Sequence, residues 1–216
     1  HTADGAMRRS VVSVNSDNFD LVIFDCDGVL VDSEMIAINA LIDMLSAAGL
    51  HLEFKDACRR FLGRSLAAIL DAVESEFGLS LGPDALETMR GRLYAAFKDE
   101  LLPIAGIAKT LETLDAPFCV ASSSQPERIR LSLDVTGLLP AFEGSIFSAT
   151  MAAQGKPAPD LFLLAARAMG SRPERCLVIE DSPAGIHAAK RAGMTVFGFT
   201  GGGHAQEASH KAAIAA

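Results

Sequence analysis

Residues 21–34 read LVIFDCDGVLVDSE, and they predict the start of an α/β fold. Leu21–Phe24 form a candidate strand, and the acidic residues follow it directly. Because side chains alternate along a strand, Asp25 and Asp27 project to the same side just beyond its carboxyl end, with Cys26 turned away. Two carboxylates this close repel each other unless a cation binds them or one of them keeps a proton. A surface Asp-x-Asp-Gly turn is the alternative interpretation, and this fragment alone does not decide between the two.

Outward from this stretch, short apolar runs alternate with helical patterns, which predicts βαβ units and a parallel sheet. Two of the helices, 126–136 and Pro183–Arg191, are preceded by Ser124 and Ser182 as candidate caps and start with proline. A third helix is predicted at 160–169. The predicted strands are Leu21–Phe24, 118–121, 145–147, 177–179 and 195–199.

Residues 34–102 interrupt this alternation, because they contain helical patterns and no convincing strand. The patterns cover 34–48, 53–62, 65–77 and 83–102, and each ends at a glycine or a proline. Such a block, inserted into an α/β chain, most simply forms a second, helical lobe with hinges near Ser33 and Pro103. We therefore predict a core of residues 18–33 and 103–216, a helical lobe of residues 34–102, and an expression tag or disordered N-terminus at residues 1–17.

The composition is that of a globular chain. Of the 216 residues, 50% are hydrophobic and 21% are charged, which suits one domain or one domain with an insertion. The net charge of −8 provides no electrostatic reason to bind nucleic acid, and we expect neither nucleic acid nor a membrane as a partner. The four cysteines lack metal-ligand spacing, which favours reduced thiols and a cytoplasmic location.

A second acidic pair, Glu180 and Asp181, follows the predicted strand at 177–179 and precedes a helix. Ligands of open parallel sheets gather at the carboxyl ends of the strands, so the two acidic pairs converge if their strands are neighbours. Oxygen donors without histidine or cysteine suit Mg²⁺ better than zinc. Asp181 or Ser182 could instead cap the following helix, which leaves Glu180 unexplained.

Two further segments offer groups that suit a phosphate. Residues 121–124 read ASSS, and a hydroxyl with free N–H groups before a helix can hold a phosphate; Ser122 is the better candidate, because Ser124 resembles an ordinary cap. Residues 155–160 read GKPAPD, in which two prolines stiffen the loop that carries Lys156. Taken alone, Lys156 is more simply a solvated lysine.

Together these four segments resemble the motifs of the haloacid dehalogenase-like hydrolases, in the branch of β-phosphoglucomutase and the small sugar-phosphate phosphatases. The motifs are DCDGVLVDSE (25–34), ASSS (121–124), GKPAPD (155–160) and VIEDSPAGI (178–186), and the resemblance covers residues 19–200. It implies a Rossmann-like core with an inserted helical cap, and a phosphoric monoester hydrolase. The relatives usually continue past residues 201–203 into a further helix and an edge strand, so we expect the end at Ala216 to affect the sheet edge rather than the site.

The resemblance also implies roles for individual residues. Asp25 is the expected nucleophile and Asp27 the acid/base. The expected phosphate contacts are Ser122, Ser123 and Lys156. The expected Mg²⁺ ligands are Asp25, the backbone carbonyl of Asp27, and Asp181, with Glu180 either a ligand or one shell further out.

The implied cap, residues 34–102, is expected to close over a small phosphate ester and to set specificity. Arg64 and Glu34 are its candidate substrate contacts and Lys98 a weaker one, although a solvent-facing arginine and charges placed for the helix dipole are the alternatives. His51, His187, His204 and His210 fit no metal or triad spacing.

The expected substrate is a phosphorylated sugar, sugar acid or sugar alcohol, and the expected enzyme is a monomer or a weak dimer. A phosphosugar mutase is the alternative enzyme, but β-phosphoglucomutases carry a histidine where this sequence has Ala37. A non-catalytic protein that keeps the fold is the third possibility.

Overall fold

The computed structural model describes residues 18–62 and 64–203. Every predicted strand is present there, with each end within one residue of its predicted position. The strands are β1 (Leu21–Phe24), β2 (Phe118–Ser122), β3 (Ile146–Ser148), β4 (Cys176–Glu180) and β5 (Thr195–Gly198). They pair in parallel in the order β3-β2-β1-β4-β5, so β1 is central, and the predicted α/β fold class is confirmed.

The helices of the described residues include all those predicted, with ends within two residues of the prediction. They are α1 (Glu34–Ala47), α2 (Phe54–Phe61), α3 (Leu66–Phe77), α4 (Ala85–Glu100), α5 (Ile107–Thr113), α6 (Pro126–Val135), α7 (Leu139–Phe142), α8 (Asp160–Ala168) and α9 (Pro183–Arg191). Helices α5 and α7 have no counterpart among the predicted helices, because they are too short to show a clear helical periodicity. In residues 18–62 and 64–203, no helix is both long and apolar enough to cross a membrane.

The central strand β1 is buried on both faces, which explains its uninterrupted apolar sequence. Leu21 and Ile23 pack into the hydrophobic cluster on one face of the sheet, together with residues of α8 and α9. Val22 and Phe24 pack into the cluster on the other face, together with residues of α6. Packing on both faces fixes the position of β1 in the sheet, so the residues that follow it lie at the carboxyl ends of the strands.

Helices α1 to α4 pack around a hydrophobic cluster of their own, and we refer to residues 34–102, the predicted lobe, as the helical insert. Leu45, in α1, is fully buried there. The last helix, α4, also belongs to the core, because its Leu93 and Phe97 pack into the cluster that contains Phe24. The insert is therefore attached to the sheet through α4 as well as through its two chain connections.

Those two connections lie side by side. The backbone N–H of Asp32 donates to the carbonyl of Leu102 at 3.0 Å, and the N–H of Ile104 donates to the carbonyl of Leu30 at 2.9 Å. The segments near Ser33 and Pro103, predicted as hinges, thus form one junction between insert and core. The predictions for residues 1–17, His204, His210 and the last residues of the chain lie outside the described residues.

The cluster inside the helical insert generates a stability prediction. Leu45→Ala removes a fully buried side chain, so we expect the free energy of unfolding to fall by about 2–5 kcal/mol. The matched control is Leu102→Ala, because Leu102 is 68% exposed and its truncation should cost less than about 0.5 kcal/mol. Denaturant unfolding followed by circular dichroism measures both values, and similar losses for the two variants would contradict the packing described.

Candidate active site

The carboxyl ends of β1 and β4 are neighbours, since Phe24 pairs with Ile179. This pairing brings together the two acidic pairs singled out in the sequence. One oxygen from each of three buried carboxylates lies within 4.8 Å of the others; the three residues are Asp25, Glu180 and Asp181. The convergence therefore arises at the sheet edge where parallel folds bind ligands.

The sequence predicted that the carboxylates of Asp25 and Asp27 lie close together, but a tight turn after β1 leaves the Asp27 carboxylate outside this cluster. The carbonyl of Cys26 accepts hydrogen bonds from the N–H groups of Leu30, at 2.9 Å, and Val31, at 3.1 Å. Gly28 has φ of 81°, a left-handed conformation that glycine adopts without steric cost. Because of this turn, Asp27 has neighbours that differ from those of Asp25, two residues earlier.

Lys156 reaches the acidic cluster from the loop after β3. Its Nζ donates to Asp25 Oδ1 at 2.5 Å, to Glu180 Oε1 at 2.6 Å and to the carbonyl of Ala121 at 3.1 Å. The side chain is only 4% exposed, and its ammonium lies 5.0 Å from the ring centre of Phe162. Burial lowers the pKa of Lys156, but the two carboxylates raise it by more than burial lowers it. The net pKa therefore lies above its ordinary value. Lys156 is therefore a buried, charged group and not a solvated lysine.

The acidic cluster suits a cation. Burial raises the pKa of Asp25 well above its ordinary value, Lys156 opposes that rise, and the charges of Glu180 and Asp181 add to it. A divalent cation would relieve this repulsion, and carboxylate oxygens are the donors that hard cations prefer. The residues present therefore fit a divalent metal ion.

Glu180 is held by protein donors on both carboxylate oxygens. Oε1 accepts from Lys156, and Oε2 accepts from the N–H of Ser182 at 2.7 Å. A Cβ atom on Gly185 would overlap the Glu180 carboxylate, so only glycine leaves room for it. Ser182 caps α9, because its Oγ accepts from the N–H of Gly185 at 3.1 Å. Of the two capping candidates, the hydroxyl of Ser182 forms the cap.

Asp27 accepts three side-chain hydrogen bonds. Oδ1 accepts from Ser33 Oγ at 2.6 Å and from Arg128 Nη2 at 2.7 Å, and Oδ2 accepts from Ser124 Oγ at 2.7 Å. Burial raises the pKa of Asp27, but the charge of Arg128 and the three hydrogen bonds outweigh it, and the net pKa is lowered. This arrangement stabilises the ionised carboxylate, the form that can accept a proton.

One interpretation of the sequence is corrected by these contacts. Ser124 was expected to cap the helix that begins at Pro126, but the residue at the cap position of α6 is Gln125, and no side chain caps the helix. The hydroxyl of Ser124 donates to Asp27 instead. Ser124 lies one residue before the cap position, and its hydroxyl proton forms a charge-assisted hydrogen bond to the Asp27 carboxylate.

The ASSS segment lies at the carboxyl end of β2. Ser122 is buried, and its Oγ accepts from the N–H of Ser124 at 3.1 Å. Ser123 is exposed. Both serines line the same cavity as Asp25 and Lys156, so the structure brings the three predicted phosphate contacts to the nucleophile candidate.

This cavity, of about 430 Å³, lies between the sheet edge and the helical insert. Glu34 and Arg64, the two predicted substrate contacts of the insert, line it. Lys98, the weaker candidate, is exposed and lies outside the lining, as do His51 and His187. Glu34 also acts on the site electrostatically, since its charge raises the pKa of Arg128.

Arg90, Tyr94 and Arg128 also line the cavity, and none of them was singled out in the sequence. The first two lie on α4, where a helical pattern alone does not show which face meets the sheet. The sequence does mark Arg128 as unusual, because it lies in the first turn of a predicted helix, where the helix dipole disfavours a positive charge. A residue that violates a local rule in this way is often held by a functional site.

Comparison with known proteins places the chain in a family. The model of the haloacid dehalogenase-like hydrolases matches residues 19–193. The 6-phosphogluconate phosphatase of Escherichia coli (strain K12) is 34% identical over 192 residues, covering 88% of this chain and 87% of the relative. The fructose-1-phosphate phosphatase YqaB of the same organism is 32% identical over 178 residues, covering 80% of this chain and 92% of the relative.

A solved structure supports the same conclusion. A conserved haloacid dehalogenase-like protein of unknown function from Agrobacterium tumefaciens str. C58 is 40% identical, with a TM-score of 0.81, and the match covers 91% of this chain and 89% of that one. The family and the enzyme class predicted from the sequence, a phosphoric monoester hydrolase, are confirmed. The chain therefore belongs to the haloacid dehalogenase-like hydrolases.

Proposed function

We propose that this chain is a Mg²⁺-dependent phosphatase that hydrolyses a small phosphorylated sugar, sugar acid or sugar alcohol through an aspartyl-phosphate on Asp25. The observation that carries the proposal is the buried contact of Lys156 with Asp25 and Glu180, beside Asp181, in a cavity that also contains Asp27. The named phosphatase relatives, which act on 6-phosphogluconate and fructose 1-phosphate, support the substrate class.

In the first step, a carboxylate oxygen of Asp25 attacks the phosphorus atom, and the bond from phosphorus to the ester oxygen breaks. The leaving alkoxide takes a proton from Asp27, which enters this step as a carboxyl group and leaves it as the carboxylate that its hydrogen bonds favour. Lys156 and the hydroxyl of Ser122 contact the phosphoryl oxygens and help to offset their negative charge. Ser123, exposed at the cavity wall, provides the third phosphate contact.

In the second step, water attacks the phosphorus of the aspartyl-phosphate. The carboxylate of Asp27 accepts a proton from that water, the bond from phosphorus to Asp25 breaks, and inorganic phosphate leaves. The three hydrogen bonds to Asp27 favour the ionised carboxylate that this step needs.

Asp25, Asp181 and the backbone carbonyl of Asp27 would hold the metal ion. When bound, Mg²⁺ supplies positive charge that masks the phosphate and makes attack by a carboxylate feasible. In this proposal Glu180 does not bind the metal ion directly, because both of its carboxylate oxygens already accept hydrogen bonds, from Lys156 and Ser182. Its role is to fix the ammonium of Lys156 beside Asp25.

The helical insert acts as a cap that closes over the substrate and excludes bulk water. Arg64 and Glu34 line the cavity from the insert side and would contact the sugar or acid portion of the substrate. A mutase is disfavoured by Ala37, which also lines the cavity and has no group to transfer a proton. A non-catalytic protein is disfavoured because the charged groups that phosphoryl transfer needs are all present.

We propose a cytoplasmic enzyme that is a monomer or a weak dimer, with neither nucleic acid nor a membrane as a partner. Small phosphate esters are intracellular metabolites, and all four cysteines are free thiols. The net charge of −8 disfavours a phosphate polymer as a ligand.

A panel of sugar phosphates, sugar-acid phosphates and sugar-alcohol phosphates tests the function, with release of inorganic phosphate as the readout. Net release with at least one of these classes, dependent on Mg²⁺, is expected. Formation of an isomeric sugar phosphate with no net release would establish the mutase instead. No turnover across the panel would favour the non-catalytic alternative.

Replacement of the nucleophile gives the first prediction for the mechanism. Asp25→Asn is expected to lower kcat by at least about 10³-fold, because an amide does not form the acyl phosphate. Asp32→Asn is the matched control: Asp32 accepts a hydrogen bond from the N–H of Gly203, which asparagine preserves, and it lies outside the cavity lining. Phosphate release measures both, and substantial activity in Asp25→Asn would refute the covalent mechanism.

Metal binding gives the second prediction. Mg²⁺ at 100 times its Kd adds about 2.7 kcal/mol to the stability of the folded state, so the melting temperature should rise by several degrees. Asp181→Asn should lose most of that rise, because it removes one of the three converging carboxylates, whereas Asp32→Asn should retain it. Thermal unfolding with and without Mg²⁺ measures the shift, and an unchanged shift in Asp181→Asn would exclude the proposed ligand set.

A further inference from the structure

Arg128 is one of the three donors that favour the ionised form of Asp27, and it is the donor that carries a charge. Its Nη2 lies 2.7 Å from Asp27 Oδ1, and the exposed fractions of the two side chains are 16% and 13%. A charge-assisted hydrogen bond shielded from water in this way is stronger than an exposed ion pair. The contact is therefore expected to constrain the carboxylate.

The guanidinium of Arg128 is itself held in place. Its central carbon lies 5.2 Å from the ring centre of Phe97, a fully buried residue of α4. Its Nε is buried and has no hydrogen-bond partner among residues 18–62 and 64–203, and the charge of Glu34 acts on the group as well. Arg128 thus connects α6, the helical insert and the loop after β1.

Orientation matters for Asp27 because the terminal torsion of an aspartate is broad, and a free carboxylate rotates. Proton transfer requires an oxygen at hydrogen-bond distance from the reacting group, so a rotated carboxylate transfers protons poorly. Ser33 and Ser124 each contribute one neutral donor, and Arg128 contributes the charged one.

We propose that Arg128 is a positioning residue, which holds the carboxylate of Asp27 in the orientation needed for proton transfer in both halves of the reaction. The proposal rests on the proposed function, because it assigns to Arg128 a part in the chemistry of Asp27. Arg128 acts through Asp27 and not on the phosphoryl group, which Lys156 and Ser122 contact.

This role predicts a kinetic signature that depends on the leaving group. An alkyl phosphate needs a proton on its leaving oxygen in the first step, whereas p-nitrophenolate leaves without one. Both substrates form the same aspartyl-phosphate, and its hydrolysis needs Asp27 as a base. Impaired positioning of Asp27 should therefore lower kcat/KM for alkyl phosphates, spare kcat/KM for p-nitrophenyl phosphate, and slow the second step for both.

The experiment compares Arg128→Gln with the wild type on p-nitrophenyl phosphate and on the best alkyl phosphate of the panel. For the alkyl phosphate, kcat/KM is expected to fall on the order of 10²-fold. For p-nitrophenyl phosphate, kcat/KM should change by less than about 10-fold while kcat falls, and a burst of p-nitrophenolate equal to the enzyme concentration should appear. Arg128→Lys should recover part of the alkyl phosphate activity, because it retains the charge.

Arg130→Gln is the matched control, because Arg130 lies on the same helix but pairs with Glu143 at the surface. It should leave both substrates unchanged. A rise in KM for both substrates in Arg128→Gln, with kcat unchanged and no burst, would show that Arg128 binds substrate and would overturn the proposal. Parallel losses on both substrates together with a lower melting temperature would show a merely structural role and overturn it as well.

Asp27→Asn separates failure of this inference from failure of the proposed function. It should show the same dependence on the leaving group more strongly than Arg128→Gln. If Asp27→Asn lacks that dependence, the proposed acid/base mechanism is wrong. If Asp27→Asn shows it and Arg128→Gln does not, only the role of Arg128 is overturned.

Discussion

The buried ammonium of Lys156 is the constraint on which the active site depends. A charge inside a protein is costly unless it is paired and hydrogen-bonded, so Lys156 requires the carboxylates of Asp25 and Glu180 at its side. Through these contacts and the carbonyl of Ala121, one side chain from the loop after β3 connects the carboxyl ends of β1, β2 and β4. The three strand ends are therefore held in one arrangement.

Asp25 and Asp27, the two aspartates that follow β1, have opposite electrostatic surroundings. Asp25 lies among other carboxylates, and burial together with their charges raises its pKa despite Lys156. Asp27 lies beside Arg128 and two serine hydroxyls, which lower its pKa despite burial. A metal ion suits the first environment and a proton acceptor suits the second, so one short turn can supply both a nucleophile and a base.

The helical insert is part of the site rather than an appendage to it. Helix α4 packs Leu93 and Phe97 into the core cluster, and Phe97 supports the guanidinium that contacts Asp27. The two chain connections to the insert are hydrogen-bonded to each other next to Ser33, a third partner of Asp27. The surroundings of Asp27 therefore include contacts that the insert and its junction with the core provide.

Alternation, helical periodicity and turn residues predicted the strands, most helices and the acidic strand ends, because each of these patterns acts over a few neighbouring positions. Resemblance to a family added roles for Asp25, Asp27, Ser122 and Lys156, whose side chains the structure gathers around one cavity. Three contacts could be found only from the packed structure: Ser124 contacts Asp27 instead of capping α6, Glu180 holds Lys156, and Arg128 lies on Phe97. Each of these contacts joins groups far apart in the chain, and the partner of a polar side chain is set by which buried charge lies within reach once the strands and helices have packed.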